Sequence, residues 1–200
     1  MRGAVAIVPT TINVEKFAKK ILKNEPRIIK KYPPKSIDLK EDFDGMTGLG
    51  YNSLTSRSCH YNVLNWWGTG SLRKWMRAGY EKYNNVKKES PLYVQCWSNV
   101  MRKGEQIKPH KHEASDGTTP LHHLCGHLCV QVDGSTSTYY EGERILNECG
   151  MMTFFPASMN HWTDMYKNNG ERITIAFDIL NEDFYNWDIR DEYKNHWVKI

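Results

Sequence analysis

Three short stretches decide how this chain is read: Pro109-His110-Lys111-His112, then Gly150-Met151-Met152-Thr153-Phe154-Phe155-Pro156 running on to His161, and finally Arg172-Ile173-Thr174. A His-x-His pair closing one strand, a third histidine on a later strand and an Arg-x-Thr eleven residues on form an ordered set. The set predicts a mononuclear metal site inside a small β-barrel, with a fixed cation beside it to hold an anionic co-substrate. Residues two apart on a strand point the same way, so His110 and His112 can aim their ring nitrogens at one ion. Imidazole suits Fe(II), Zn, Cu and Ni, and three protein ligands on one face leave positions open for substrate. The expected ligands are His110, His112 and His161, with Glu113 or Asp116 as the rival for the third place, since oxygen-activating iron centres commonly carry two histidines and one carboxylate. The cluster His122, His123 and His127 offers further imidazoles, of which His127 shares a strand face with Cys125 and is expected to line the cavity.

Arg172 and Thr174 alternate with Ile173, Ile175 and Phe177. A buried arginine is costly unless it is paired. A guanidinium fork beside a hydroxyl can grip a carboxylate through two bonds; the competing explanation is an ion pair with a protein acid such as Asp178 or one near Glu171. On the strand leading to His110, Gln95, Trp97, Asn99 and Met101 share a face. Asn99 is expected to hydrogen-bond the co-substrate and Trp97 to wall it, although plain core packing explains Trp97 as well.

Outward from this centre, period-two alternation predicts strands over 92–101, 123–132, 136–141, 151–156 and 172–180, separated by turns at Lys103-Gly104, Asp133-Gly134 and Asn168-Asn169-Gly170. Strands at this spacing make an antiparallel sandwich or barrel with helices on one side. Ala4 to Val8 is a strand stopped by Pro9. Val14, Phe17, Ala18, Ile21 and Leu22 fall at helical spacing behind a capping Asn13, with Pro26 as the expected end. A second amphipathic helix opens at Ser71. Residues 31–58 form a long irregular segment, a candidate lid, and Tyr51, Trp66 and Trp67 are candidates for the site of the prime substrate. The chain is expected to form one domain, with 1–91 supporting a barrel core at 92–180 and 181–200 wrapping back as a short helix or tail.

Composition narrows the class. Hydrophobic content of 40%, charged content of 25% and a net charge of +4 suit a water-soluble globular enzyme and give no reason to expect nucleic acid as a partner. No run of eighteen apolar residues exists, so no membrane span is expected. The opening residues are too quickly polar for a signal peptide. Five scattered cysteines fit free thiols in a reducing compartment, and the cytoplasm is the expected location.

Taken together, Trp97-Ser98-Asn99-Val100, Gly104, Pro109-His110-Lys111-His112, Leu124-Cys125-Gly126, Phe154-Phe155-Pro156, His161 and Glu171-Arg172-Ile173-Thr174 resemble the Fe(II)/2-oxoglutarate-dependent oxygenases, in particular oxygenases of bacteria and phages whose metal motif reads His-x-His. The likeness covers residues 92–180. It implies a mainly β fold with flanking helices, a double-stranded β-helix of jelly-roll or cupin-like form. It also implies iron held in the barrel, with 2-oxoglutarate chelating it while Arg172 holds the far carboxylate. With O2 as the other co-substrate, the outcome is hydroxylation of an unactivated C–H bond of a peptide side chain or small molecule, releasing succinate and CO2. His112 stands where most of that superfamily has Asp or Glu. A second likeness, to cupins, rests on Gly104-x5-His110-x-His112 and Gly150-x5-Pro156 followed by His161. It implies a metal-binding protein or a three-histidine dioxygenase that does not use 2-oxoglutarate, and it does not account for Arg172-x-Thr174.

Overall fold

The computed structural model describes residues 5–34, 48–85, 91–112, 123–189 and 194–200. In chain order the elements are β1 (Ala6–Pro9), α1 (Val14–Lys31), two 3-10 turns (Thr55–Arg57 and Val63–Asn65), α2 (Gly70–Asn84), β2 (Leu92–Met101), β3 (Leu124–Gln131), β4 (Ser137–Tyr140), β5 (Glu143–Leu146), β6 (Met151–Pro156), β7 (His161–Thr163), β8 (Arg172–Asn181), α3 (Glu182–Asp188) and β9 (Val198–Lys199). The strands build two antiparallel sheets, a large one in the order β1-β6-β3-β8-β2-β9 and a small one in the order β5-β4-β7. The two face each other as a double-stranded β-helix, the form the resemblance implies and one case of the antiparallel barrel expected from the alternation.

β8 is central and shows why the layers form. Its odd-numbered residues, Ile173, Ile175, Phe177 and Ile179, join the main apolar core, which also takes Phe17, Ile21 and Ile28 of α1 and Leu72, Met76 and Tyr80 of α2. Helix α1 packs on β3 and α2 on β6. The even-numbered Arg172, Thr174, Ala176 and Asp178 face the opposite way, into the space between the sheets. Each sheet face therefore carries one chemistry, as period-two side chains require.

Two glycines mark where the helix layer comes close. Gly79 lies inside α2, where glycine is roughly 1 kcal/mol worse than alanine, yet a β-carbon there would sit 2.0 Å from the Phe154 ring. At Gly126 a β-carbon would meet the Thr153 carbonyl oxygen at 2.2 Å and the Phe177 ring at 2.5 Å.

Several expectations need correction. Pro26 does not end the first helix, which continues to Lys31 with Pro26 inside it. Pro26 sits on the exposed face, so the carbonyl it leaves without an N–H partner turns to solvent. On either side of it, the Glu25–Arg102 ion pair (2.7 Å) and buried Ile28 hold the last turns down. His110 and His112 do not close a strand: 105–112 belongs to no strand and bends at Pro109, and His110 makes a single bridge to His161. Pro109 has no N–H to give to a ladder. The end of the irregular segment is built in rather than lid-like. Buried Arg57 donates to the carbonyls of Tyr32 (3.2 Å), Ser53 (3.2 Å) and Tyr51, locking 55–57 against the end of α1. Residues 35–47 of that segment lie outside the described residues. Among the described residues no helix is long and apolar enough to cross a membrane.

Gly126→Ala is expected to destabilise the protein. The clashing atom is backbone in the β3–β6 ladder and cannot turn aside. Overpacking of this kind costs about 1–3 kcal/mol, which at this size lowers the melting temperature by roughly 2–12 °C, read by thermal unfolding followed by circular dichroism.

Candidate functional site

The space between the sheets is a cavity of about 250 Å3 lined by residues of both. At ~30 Å3 per water molecule this holds about eight waters, or a small organic acid. Its floor is set by register across the large sheet. Trp97, Ala176, His127 and Thr153 form one cross-strand row, and Asn99, Thr174 and Cys129 the next. Ala176, between Trp97 and His127, leaves the room that a larger side chain would fill.

His110, His112 and His161 meet at one end, each offering a ring nitrogen within 4.8 Å of the others. His161 opens β7 and is paired on one side with Tyr140 of β4. On its other side it exchanges backbone hydrogen bonds with His110, at 3.2 and 3.0 Å. The backbone N–H of His112 donates to Ala157 O at 3.0 Å, which fixes the second member of the pair. Each ring also has an oxygen acceptor at its Nδ1: Lys108 O at 2.8 Å for His110, Met159 O at 3.2 Å for His161 and Asp178 Oδ1 at 2.6 Å for His112. Carbonyls and carboxylates only accept, so each Nδ1 carries the proton and each Nε2 presents a lone pair.

Those lone pairs converge. The Nε2 atoms of His110 and His112 are 3.3 Å apart, and two neutral rings in that tautomer cannot bond to each other. Protonating His110 and His161 is resisted. Burial and the neighbouring His112 lower His110 to about 4, and burial with His112 and His110 holds His161 well below the ordinary range. Three imidazoles with converging Nε2 atoms and anchored back edges suit a divalent metal ion of the imidazole-favouring kind.

Asp178 is the carboxylate behind this cluster. Besides His112 it accepts from Cys125 Sγ at 3.0 Å, and His123 Nε2 lies 3.7 Å away. Burial pushes its carboxyl up, but the neighbouring His112 and His123 outweigh burial and hold it well below the usual carboxylate range. Burial and Asp178 push the Cys125 thiol up. It therefore stays a protonated donor to Asp178, and the grouping of His112, Cys125 and Asp178 is explained by one shared acceptor.

At the other end Arg172 is 1% exposed. Its contacts are Thr136 Oγ1 at 3.3 Å, Thr138 Oγ1 at 3.5 Å and the Met101 sulfur at 3.9 Å, and among the described residues no carboxylate lies within ion-pair distance. The expected alternative, pairing with Asp178, does not occur: the two share β8 at opposite ends of the cavity, roughly 20 Å apart at about 3.3 Å per residue, beyond the reach of both side chains. A guanidinium has five N–H donors and keeps its charge even when burial pulls its pKa down. Long contacts to two hydroxyls and a thioether leave it short of an anion. Thr174 is beside it on β8, and Asn99 donates to Thr174 Oγ1 at 3.5 Å while accepting from Thr55 at 2.6 Å. His127 lines the same cavity. Its Nδ1 is 3.0 Å from Thr153 Oγ1, and its Nε2 is buried with no partner among the described residues.

The expected site residues His110, His112, His161, Arg172, Thr174, Asn99, Trp97 and His127 thus share one cavity. Glu113, Asp116 and His122 lie outside the described residues. Tyr51, Trp66 and Trp67 do not line the cavity: Tyr51 lies under Arg57, Trp66 stacks on Tyr61, and Trp67 is 92% exposed near Lys20. Trp162, stacked on Tyr139, lines it instead, together with Thr55, Ser58 and Thr138. The role of Asp178 was legible in principle, as an acidic residue in step with Arg172 and Thr174 on an otherwise apolar strand. Thr55, Thr138 and Trp162 carried no comparable signal.

No protein-family model matches the chain, and no curated protein matches it in sequence. Solved structures do share its fold. The viral collagen prolyl hydroxylase of Paramecium bursaria Chlorella virus-1, in a 2OG complex, is 10% identical over 88% of this chain and 94% of its own, with a TM-score of 0.54. A Pseudomonas putida prolyl-4-hydroxylase is 10% identical over 88% and 92%, with a TM-score of 0.51. The non-heme alpha-ketoglutarate-dependent epimerase SnoN from nogalamycin biosynthesis is 14% identical over 90% and 78%, with a TM-score of 0.51. At such identities the likeness is one of fold.

His161→Ala is expected to abolish binding of Co(II) or Fe(II), measured by anaerobic titration, while leaving the circular dichroism spectrum unchanged. A pH test addresses His127, which burial and the nearby Arg172 lower to about 3 from an ordinary 6.5. The unfolded chain takes up this proton below pH 6.5 and the folded chain does not, so the stability His127 contributes is fully present above 6.5 and is lost as pH falls toward 3. Between pH 6 and 4 the unfolding free energy of the wild type should fall more steeply than that of His127→Gln, by about 1.4 kcal/mol per pH unit, in denaturant titrations.

Proposed function

We propose that this protein is an iron- and 2-oxoglutarate-dependent oxygenase that hydroxylates an unactivated C–H bond of a peptide side chain or small molecule. The observation that carries the reading is a single cavity with three lone-pair-presenting imidazoles at one end and a buried, uncompensated arginine at the other. Bound iron would supply oxygen activation coupled to decarboxylation of the oxo acid, so that substrate, 2-oxoglutarate and O2 become hydroxylated product, succinate and CO2.

In this reading His110, His112 and His161 hold the metal through Nε2. Arg172 grips the distal carboxylate of the co-substrate in the bidentate geometry a guanidinium favours, with Thr174 as an added hydroxyl. Asn99, held between Thr55 and Thr174, orients the oxo acid. With Nδ1 accepting from Thr153, His127 Nε2 carries a proton and faces the same anion. Trp97, whose ring centroid is 5.7 Å from that of His112, walls the metal end and restricts water. Residues 1–91 serve as scaffold, with Thr55 and Ser58 as their contribution to the pocket. The like-folded prolyl hydroxylases support peptide-bound proline as a substrate to try first.

The all-nitrogen ligand set favours a second reading, a three-histidine dioxygenase that oxidises its substrate without an oxo acid. One experiment separates the two. Under anaerobic conditions, Fe(II) and 2-oxoglutarate added to the protein should give a weak visible charge-transfer band, and Arg172→Ala should remove the band at co-substrate concentrations that saturate the wild type. Iron binding with no band would overturn the 2-oxoglutarate reading in favour of the second.

A further inference from the structure

Among the described residues lining the cavity Asp178 is the lone carboxylate. Of the three histidines at the metal end, two rest their Nδ1–H on neutral backbone carbonyls, whereas His112 rests its own on this carboxylate at 2.6 Å, the shortest of the three contacts. Asp178 does nothing else for the cavity. It does not pair with Arg172, and its remaining close partners are the Cys125 thiol at 3.0 Å and His123 at 3.7 Å, both behind the cluster. Its place is set by β8 pairing, where it lies opposite Gln95 of β2 and Cys125 of β3.

A carboxylate accepting from Nδ1–H fixes the tautomer and orientation of an imidazole and makes its Nε2 a stronger donor to a metal. Charge points the same way: a divalent ion would add two positive charges where three neutral imidazoles remove none, and among the described lining residues Lys111 and Arg172 are cations while Asp178 is an anion. We propose that Asp178 is the positioning residue of this centre, delivering through His112 the negative charge that the three-histidine ligand set lacks. The proposal rests on the metal-site part of the reading above but not on the identity of the co-substrate.

The test uses Co(II) as the probe, titrated into the full-length protein without oxo acid. Wild type should bind one Co(II). Asp178→Asn, which can still accept from His112 but carries no charge, should bind it 10- to 100-fold more weakly, with a shifted ligand-field band. Asp178→Glu should recover most of the affinity, and Glu113→Gln should bind as wild type does. In a His112→Ala background Asp178→Asn should change the affinity no further. The proton spectrum of the wild-type Co(II) protein tests the same point without a variant: three exchangeable, hyperfine-shifted ring N–H signals are expected, one per histidine bound through Nε2. Unchanged affinity and spectrum in Asp178→Asn, or fewer than three such signals, would overturn the proposal. Adding 2-oxoglutarate afterwards separates the two ideas. If the Co(II) spectrum does not respond to it while Asp178→Asn still weakens the metal, the co-substrate reading fails and the role of Asp178 stands.

Discussion

The register of one strand governs this molecule. β8 is paired on both sides, with β2 and with β3, and its two faces carry incompatible chemistry. Ile173, Ile175, Phe177 and Ile179 belong to the helix-covered core, and Arg172, Thr174, Ala176 and Asp178 to the cavity. A slip of one residue would exchange the sets, driving a guanidinium and a carboxylate into the apolar layer. The burial energy of four large apolar side chains therefore holds Arg172, Thr174 and Asp178 in place in the cavity. Gly126 belongs to the same constraint. Its missing side chain lets Phe177 and the β3–β6 ladder close up, and that fixes which way β3, and with it His127, faces.

The small sheet answers a different requirement. Three imidazoles must converge with their lone pairs inward, which neutral rings do not do by themselves. The chain achieves it by giving each Nδ1 a fixed acceptor from local structure: Lys108 O two residues before His110, Met159 O two residues before His161, and Asp178 from the opposite sheet for His112. Two of the three anchors are backbone atoms close in sequence, so the turns that deliver the histidines also orient them. The third crosses the cavity and ties the small-sheet side to β8. The metal end is thereby preorganised by hydrogen bonds made outside it.

The cavity is polarised along its length. The three-histidine end is backed by one buried carboxylate, and the far end holds a buried arginine whose contacts among the described residues are long ones to Thr136, Thr138 and Met101. Burying a charge in this way is costly unless a counter-ion arrives, so the protein carries an unmet electrostatic demand where a small dianion can meet it. That demand distinguishes the cavity from a plain metal-binding barrel, whose lining has no need of a cation.

Much of this was written in local sequence. Strands β2 and β6 fall on the residues that alternation marks, and the inward sets of β2, β3 and β8 follow from the same period, since side-chain direction along a strand is a local property. The helices were legible from their apolar spacing, except that Pro26 could not reveal that tertiary contacts would carry α1 past it. The short strands β5, β7 and β9 were not legible, because a strand of two to four residues is defined by its partner rather than by its own pattern. Nor was it legible that Tyr51, Trp66 and Trp67 stay out of the cavity while Trp162 lines it. The sequence by itself determined which side chains share a face, among them Arg172 with Thr174 on β8 and Trp97 with Asn99 on β2. Only the tertiary structure decided that Asp178 backs His112, because that contact spans the cavity between residues far apart in the chain, which local periodicity does not encode.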